Sequence, residues 1–181
     1  MKISVFIATS LDGFIAREDG AIDWLPAPME SGEDYGYGAF FESVDAIVMG
    51  RNTFELVLTF GAWPYGEKPV VVLSSRDLVF PPQVPPSVSQ LGGSPESVVR
   101  RLSDRGYAYL YIDGGTTIQG FLREGLVDEI IITRIPVLIG SGIPLFGPLE
   151  ADIPLRHVET RSFESGIVQS RYGIIHNLSI W

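Results

Sequence analysis

Three short segments of the chain place glycine, hydroxyl or guanidinium groups where a predicted strand ends. They are residues 49–54 (Met-Gly-Arg-Asn-Thr-Phe), 73–76 (Leu-Ser-Ser-Arg) and 112–117 (Ile-Asp-Gly-Gly-Thr-Thr). Free N–H groups at the start of a helix bind phosphate, and an arginine adds a planar cationic fork. These segments therefore indicate a phosphorylated ligand, although a strand–helix junction needs a glycine for its turn in any case and Ser-Ser-Arg is ordinary loop composition.

Each segment suits a different part of such a ligand. Gly50 and Arg51 suit a phosphate at a helix start, and Ser74, Ser75 and Arg76 suit a monophosphate such as the 2′-phosphate of NADPH. The paired glycines of the third segment suit a pyrophosphate. One dinucleotide could use all three, so we predict as cofactor-binding residues Gly50, Arg51, Asn52, Thr53, Leu73, Ser74, Ser75, Arg76, Ile112, Gly114, Gly115, Thr116 and Thr117.

A carboxylate and an aromatic segment are further candidates. Asp34 stands at the start of a predicted helix, where it could hold a nitrogen heterocycle or assist proton delivery, or could simply cap the helix. Trp24-Leu25-Pro26 could close a pocket or anchor a loop on the core. Asp12-Gly13 has the composition of a hairpin turn.

These candidates require a sheet whose strands all end on one edge. Four apolar runs, at residues 46–49, 70–73, 108–112 and 129–133, are nearly continuous, as is typical of buried parallel strands. Helices are predicted between them. They begin at Asn52 and Thr116, with Glu55 and Gln119 completing capping boxes, and at Ser94, which Pro95 follows.

The two ends of the chain have a different pattern. After the opening strand, a second short one covers residues 14–16, a long loop covers 17–33, and a helix is predicted from Asp34 to Ser43. The four prolines of residues 80–87 exclude regular structure there. Residues 155–163 and 167–176 predict an antiparallel hairpin. We therefore expect one domain over residues 1–181, with a mainly parallel central sheet, helices on both faces and an antiparallel C-terminal hairpin.

Composition excludes several classes of function. The 181 residues include 22 acidic and 13 basic side chains, a net charge of −9, which argues against nucleic acid or an anionic membrane as partner. The absence of cysteine excludes disulfides, thiolate metal sites and cysteine nucleophiles. Two distant histidines make a histidine metal site improbable. The sequence has no evident targeting or membrane-spanning segment, so we expect a cytoplasmic location.

The order of the motifs resembles dihydrofolate reductase along most of the chain. The resemblance is carried by residues 10–16 (Ser-Leu-Asp-Gly-Phe-Ile-Ala), 24–26, 49–54, 73–76 and the glycines at 114–115. Asp34 precedes Gly50 by sixteen residues, the spacing of that family's carboxylate. The C-terminal half, at residues 125–129, 136–142 and 145–146, instead resembles the reductase domain of the riboflavin-pathway enzyme RibD. The resemblance implies a three-layer α-β-α fold, NADPH as cofactor and a homodimer with residues 135–145 as a possible contact region.

The resemblance also implies a reaction and its site. Hydride would pass from NADPH to the carbon of a C=N bond, with the nicotinamide near Ile7, Ala8 and Ile15. A pyrimidine or pterin-like substrate would contact Ala8, Trp24, Asp34 and Thr133, with Asp34 as the catalytic candidate. RibD reduces a ribosylamino-pyrimidine phosphate, which should require Arg or Lys in the substrate half of the cleft. Dihydrofolate would need a cation for its glutamate tail, and none can be assigned. A non-catalytic NADPH-binding sensor is the alternative of another class.

Overall fold

The computed structural model describes residues 1–26 and 33–176. Its strands are β1 (Lys2–Ser10), β2 (Phe14–Ala16), β3 (Ala46–Gly50), β4 (Val70–Leu73), β5 (Val88–Leu91), β6 (Tyr109–Asp113), β7 (Glu129–Ile135), β8 (Ile143–Pro144), β9 (Leu155–Ser162) and β10 (Val168–Ile174). Its helices are α1 (Tyr37–Ser43), α2 (Arg51–Leu58), α3 (Pro95–Asp104) and α4 (Gly115–Arg123). None of the helices in these two ranges is long and apolar enough to cross a membrane.

Eight strands form one mixed sheet in the order β5-β4-β3-β6-β1-β7-β10-β9. The six strands from β5 to β7 run parallel, and β10 lies antiparallel between β7 and β9. β2 and β8 pair separately. The predicted fold class, a mainly parallel sheet with an antiparallel C-terminal hairpin, is confirmed.

The core has two halves, one on each face of the sheet. Val48 and Ile112 face α3 and α4, where Leu102 and Phe121 are fully buried. Ile47 and Met49 face the opposite side, where they pack with Phe40 of α1 and Phe54 of α2. Because neighbouring residues of β3 are buried on both faces, the strand is apolar throughout. Truncating a buried phenylalanine such as Phe121 to Ala should cost about 3–5 kcal/mol of folding free energy.

The predicted helix starts were correct at one helix and wrong at three. The Ser94 side chain accepts a hydrogen bond from the Ser97 N–H at 3.3 Å, as expected. The capping boxes at Asn52 and Thr116 are wrong, because α2 and α4 begin immediately after their strands with glycine N-caps. α1 begins at Tyr37 rather than Asp34. One element was missed: β5 is a short edge strand with a polar interior, Ser89-Gln90.

The connections change direction between β3 and β6. From β3 the chain crosses through α2 on one face to β4, and from β5 it returns through α3 on the other face to β6. Met49 and Asp113 are paired in register at the adjacent strand ends. Ligands of open α/β sheets bind at such a switch point, beyond the carboxyl ends of the strands. The fold therefore places the first and third sequence segments side by side.

Candidate functional site

A cavity of about 1110 Å³ lies at this switch point. That volume is slightly above the usual range for ligand pockets, roughly 300–1,000 Å³. Many predicted site residues line it, namely Ile7, Ala8, Ile15, Gly50, Arg51, Asn52, Thr53, Leu73, Gly114, Gly115, Thr116 and Thr117. The described lining does not include Trp24, Asp34, Ser74, Ser75, Arg76, Ile112 or Thr133.

Two helix N-termini meet at one end of the cavity. In the part of the chain that the structure describes, neither α2 nor α4 has a side chain that caps its first turn. Gly114 has a φ of +89°, and a Cβ atom there would collide with the Thr53 hydroxyl. A Cβ atom at Gly50 would lie 2.9 Å from Thr117 Oγ1. The two glycines thus let the helix starts pack closely against Thr53 and Thr117, and helix N-termini without a capping side chain are suited to a phosphate or pyrophosphate. We call this region the cofactor end.

The two arginines of the predicted phosphate site follow adjacent strands. Gly50 and Leu73 pair in register, so the turn before Arg51 lies beside the loop that carries Arg76. Arg51 Nη1 is 3.1 Å from Glu55 Oε1, and the pair is exposed. Ser74 Oγ donates to the Arg76 carbonyl at 2.7 Å and accepts from the Arg76 N–H at 3.1 Å. The Ser74 hydroxyl therefore shapes the loop, while Arg76 is exposed beside it.

Asp113 is a titratable cavity-lining residue that the sequence analysis did not predict as a site residue. It is the last residue of β6, and its Oδ1 accepts a hydrogen bond from the Gly114 N–H at 2.8 Å. The surrounding protein encloses the side chain, and its remaining exposure is toward the cavity that it lines. This burial raises the pKa of Asp113 to about 6, against a small opposing effect of the Gly114 N–H. An acidic residue ending an otherwise apolar strand was the signal available in the sequence.

Aromatic side chains from distant parts of the chain surround Asp113. Tyr65 and Tyr111 line the cavity with Phe6, and Tyr37 packs against Phe6 with ring centroids 5.5 Å apart. Burial, and secondarily the Asp113 carboxylate, raises the pKa of Tyr37, Tyr65 and Tyr111. The three phenols therefore stay neutral at physiological pH. We name this region, together with Leu56 of α2 and Phe60 just beyond its C-terminal end, the substrate end of the cavity.

Asp34 has a local structural role. Its carboxylate accepts hydrogen bonds from the N–H groups of Gly36 at 2.8 Å and Gly38 at 2.9 Å. These two bonds lower the pKa of Asp34, so the group is ionised at neutral pH. The role expected of Asp34 in binding or protonation stays a prediction.

Thr133 and Trp24 are held by other contacts. Thr133 is buried, and its Oγ1 accepts a hydrogen bond from Gln169 Nε2 at 2.9 Å. The same amide nitrogen donates to the Tyr35 carbonyl, which ties the segment before α1 to β7 and β10. The indole N–H of Trp24 is enclosed and has no hydrogen-bond partner in the described structure, while its neighbours Ile22 and Leu25 line the cavity. The substrate contacts expected of Thr133 and Trp24 stay predictions.

Comparison with known proteins gives full-length matches. The uncharacterised protein YwjB of Bacillus subtilis is 36% identical over 168 residues, which cover 92% of this chain and 94% of YwjB. A putative riboflavin biosynthesis protein from Shewanella sp. PV-4 has a crystal structure with a TM-score of 0.89 and 42% identity. The match covers 97% of this chain and all of that one.

A more distant structure shares the fold. Dihydrofolate reductase from Enterococcus faecalis, in complex with NADP(H), gives a TM-score of 0.67 at 17% identity, covering 96% of both chains. The sequence profile of the RibD C-terminal domain matches residues 1–169. The reductase superfamily expected from the motifs is confirmed, and the chain belongs to the RibD C-terminal domain family.

Proposed function

We propose that this protein is an NADPH-dependent reductase that transfers hydride to the C=N bond of a pyrimidine or pterin-like heterocycle. The observation that carries the proposal is the shared cavity. Two helix N-termini suited to a pyrophosphate open onto the same space as Asp113, a carboxyl whose burial raises its pKa to about 6. A phosphate site beside a group poised for proton transfer is the combination that such a reduction requires.

The residues at the cofactor end fit a dinucleotide. The N-termini of α2 and α4, whose first turns have no capping side chain among the described residues, would hold its pyrophosphate. Arg76 and Arg51 would hold the 2′-phosphate beyond β3 and β4. Ile7, Ala8 and Ile15 would contact the nicotinamide along the apolar wall. NADPH, when bound, supplies the hydride.

Asp113 would supply the proton. A C=N bond that gains hydride at carbon must gain a proton at nitrogen, and a general acid works best with a pKa near the working pH. The protonated Asp113 carboxyl would donate this proton from the substrate end, and Gly114 N–H would steady the resulting carboxylate. Asp34 is already ionised and accepts hydrogen bonds from Gly36 and Gly38, and its negative charge would assist substrate binding or protonation.

Two other functions compete with this proposal. Dihydrofolate reduction is the enzymatic alternative, since the fold is shared with an NADP(H)-bound dihydrofolate reductase. A non-catalytic NADPH sensor would use the cofactor end alone. A proton donor at Asp113 favours catalysis over sensing, because binding alone gives no reason to bury a carboxylate in an acidic cavity.

The first test is cofactor binding, followed by the pH dependence of the rate. NADPH and NADH should be titrated by protein fluorescence, and NADPH should bind at least tenfold tighter because only it carries the 2′-phosphate. With a reducible substrate, the rate should fall as pH rises through about 6, as Asp113 loses its proton. Asp113→Asn should lower the rate about a hundredfold and remove that pH dependence. Absence of NADPH binding would reject the proposal.

A further inference from the structure

We infer that the substrate of this reductase is a nitrogen heterocycle that carries no phosphate and no carboxylate group. The inference rests on the proposed function and names the substrate class of the same site. It departs from the phosphorylated substrate expected from the resemblance to RibD, and from dihydrofolate with its glutamate tail. The observation behind it is the distribution of charge around the cavity.

The cations of the chain are almost all absent from the cavity. All 13 Lys and Arg residues and both His residues lie in residues 1–26 and 33–176, so the structure places each of them. Among these described cations, Arg51 alone lines the cavity. It stands at the cofactor end of α2 and already pairs with Glu55. The length of α2, about 12 Å, separates it from Phe60 at the substrate end.

Two cationic side chains near the cavity bind other groups. Arg17 follows a cavity-lining residue but forms two hydrogen bonds with Asp23, at 2.6 and 3.0 Å. Lys68 Nζ donates to the Val44 carbonyl at 2.7 Å, beyond the end of α1. An anionic substrate would therefore meet no guanidinium or ammonium group at the substrate end of the described cavity.

The cavity is instead acidic. Glu18, Asp19, Glu55 and Asp113 all contribute to its lining. An anionic group that enters the substrate end loses water, gains no cationic partner there and adds to the negative charge of the lining, which disfavours binding. A neutral or protonated heterocycle adds no negative charge to the cavity, so its binding is favoured. Its N–H groups can donate to Asp113, and its ring can pack on Phe6 and Tyr65.

The experiment compares matched pairs of compounds that differ by an anionic group. One pair is 6-methyl-7,8-dihydropterin and 7,8-dihydrofolate. The other is 5-amino-6-ribosylaminouracil and its 5′-phosphate. NADPH binding is measured first, then NADPH oxidation with each compound. In at least one pair the compound without the anion should be reduced, with kcat/KM at least tenfold above that of its partner.

A designed cation provides the second readout. Phe60 is 49% exposed at the substrate end, so Phe60→Arg adds a guanidinium there without opening the core. This change should raise kcat/KM for the anionic compound of the pair at least tenfold relative to its neutral partner. Leu149 is similarly exposed, at 45%, and lies outside the cavity lining, so Leu149→Arg is the matched control and should leave the ratio unchanged.

The possible outcomes separate the inference from the proposed function. If the protein does not bind NADPH, the proposed function fails. If NADPH binds but the phosphate or dihydrofolate is preferred, the inference is overturned and the proposed function stands. Reduction of none of the four compounds by an NADPH-bound protein would also overturn the inference, because the substrate would then belong to another class.

Discussion

Replacing Asp113 with Asn should remove a loss of stability that the wild type suffers as pH rises. Most native aspartates have lowered pKa values and stabilise the folded protein at neutral pH, whereas the raised pKa of Asp113 has the opposite effect. The carboxyl is enclosed at the end of β6, and burial raises its pKa from 3.8 to about 6. The folded protein therefore binds this proton more tightly than the unfolded chain does. Stability from the group is complete only at pH values well below the unfolded pKa of 3.8 and is lost as pH rises to about 6, after which the contribution is constant.

The size of the effect follows from the pKa shift. One pKa unit corresponds to about 1.4 kcal/mol, so a shift from 3.8 to about 6 corresponds to on the order of 3 kcal/mol in full. Some of that loss has already occurred at pH 4, where the unfolded aspartate is partly ionised. Between pH 4 and pH 8 the wild type should lose about 2 kcal/mol through Asp113 that the Asn variant does not lose.

Urea unfolding of both proteins at pH 4 and pH 8 measures this directly. The free energy of unfolding of Asp113→Asn minus that of wild type should be about 2 kcal/mol more favourable at pH 8 than at pH 4. Asp12, Asp23 and Asp34, whose pKa values are lowered, contribute equally to both proteins and cancel. Asp104→Asn removes an exposed carboxylate and serves as the charge control. The same difference at both pH values would refute the argument that burial controls Asp113.

Four further predictions concern the cofactor, the helix before the cavity and assembly. Arg76→Ala should weaken NADPH binding about tenfold to a hundredfold and leave NADH binding unchanged. Arg51→Ala should have a smaller effect, because Arg51 already pairs with Glu55. Equal losses of affinity for both cofactors would show that these arginines are only surface charges. Gly50→Ala should weaken binding of both dinucleotides, because its Cβ would lie 2.9 Å from Thr117 Oγ1, whereas Gly173→Ala on β10, whose Cβ would make only an ordinary contact at 3.7 Å, should bind them normally in the same titration. Asp34→Asn should alter turnover and its pH profile, and an unchanged profile with every active substrate would end its assigned role. Sedimentation at micromolar concentration should show a homodimer, and a monomer alone would contradict that proposal.

The central sheet was predictable because the apolar pattern of its strands agrees with their burial in the fold. Residues 46–49 and 70–73 are apolar on both faces, and the structure buries them on both faces. β5 escaped prediction because Ser89 and Gln90 interrupt its apolar pattern. Gln90 is polar for a tertiary reason: its side-chain amide donates to the Arg76 carbonyl at 2.7 Å and accepts from the Leu78 N–H at 2.8 Å, holding the loop after β4.

The helix caps and the buried acid depended on contacts that a local pattern does not contain. Gln119 suggested a capping box, yet its amide donates to the carbonyls of Pro144 and Leu145 beside β8. Asp113 seemed part of a glycine turn, and its pKa is raised by burial in the folded protein, where it lines the cavity with Tyr65 and Tyr111. The cofactor-end glycines, in contrast, were recognisable because each stands between an apolar strand and a helix in the local sequence.

Isotope transfer tests the central claim most directly. The protein should be incubated with NADPH carrying deuterium at the reactive nicotinamide carbon and with 6-methyl-7,8-dihydropterin, and the product should be analysed by mass spectrometry and NMR. The account predicts one deuterium at the carbon of the reduced C=N bond and a solvent-derived proton at the nitrogen, with product formation strongly reduced in Asp113→Asn. NADPH oxidation that leaves the product without deuterium, or reduction of neither the pterin nor 5-amino-6-ribosylaminouracil by a protein that binds NADPH, would contradict it.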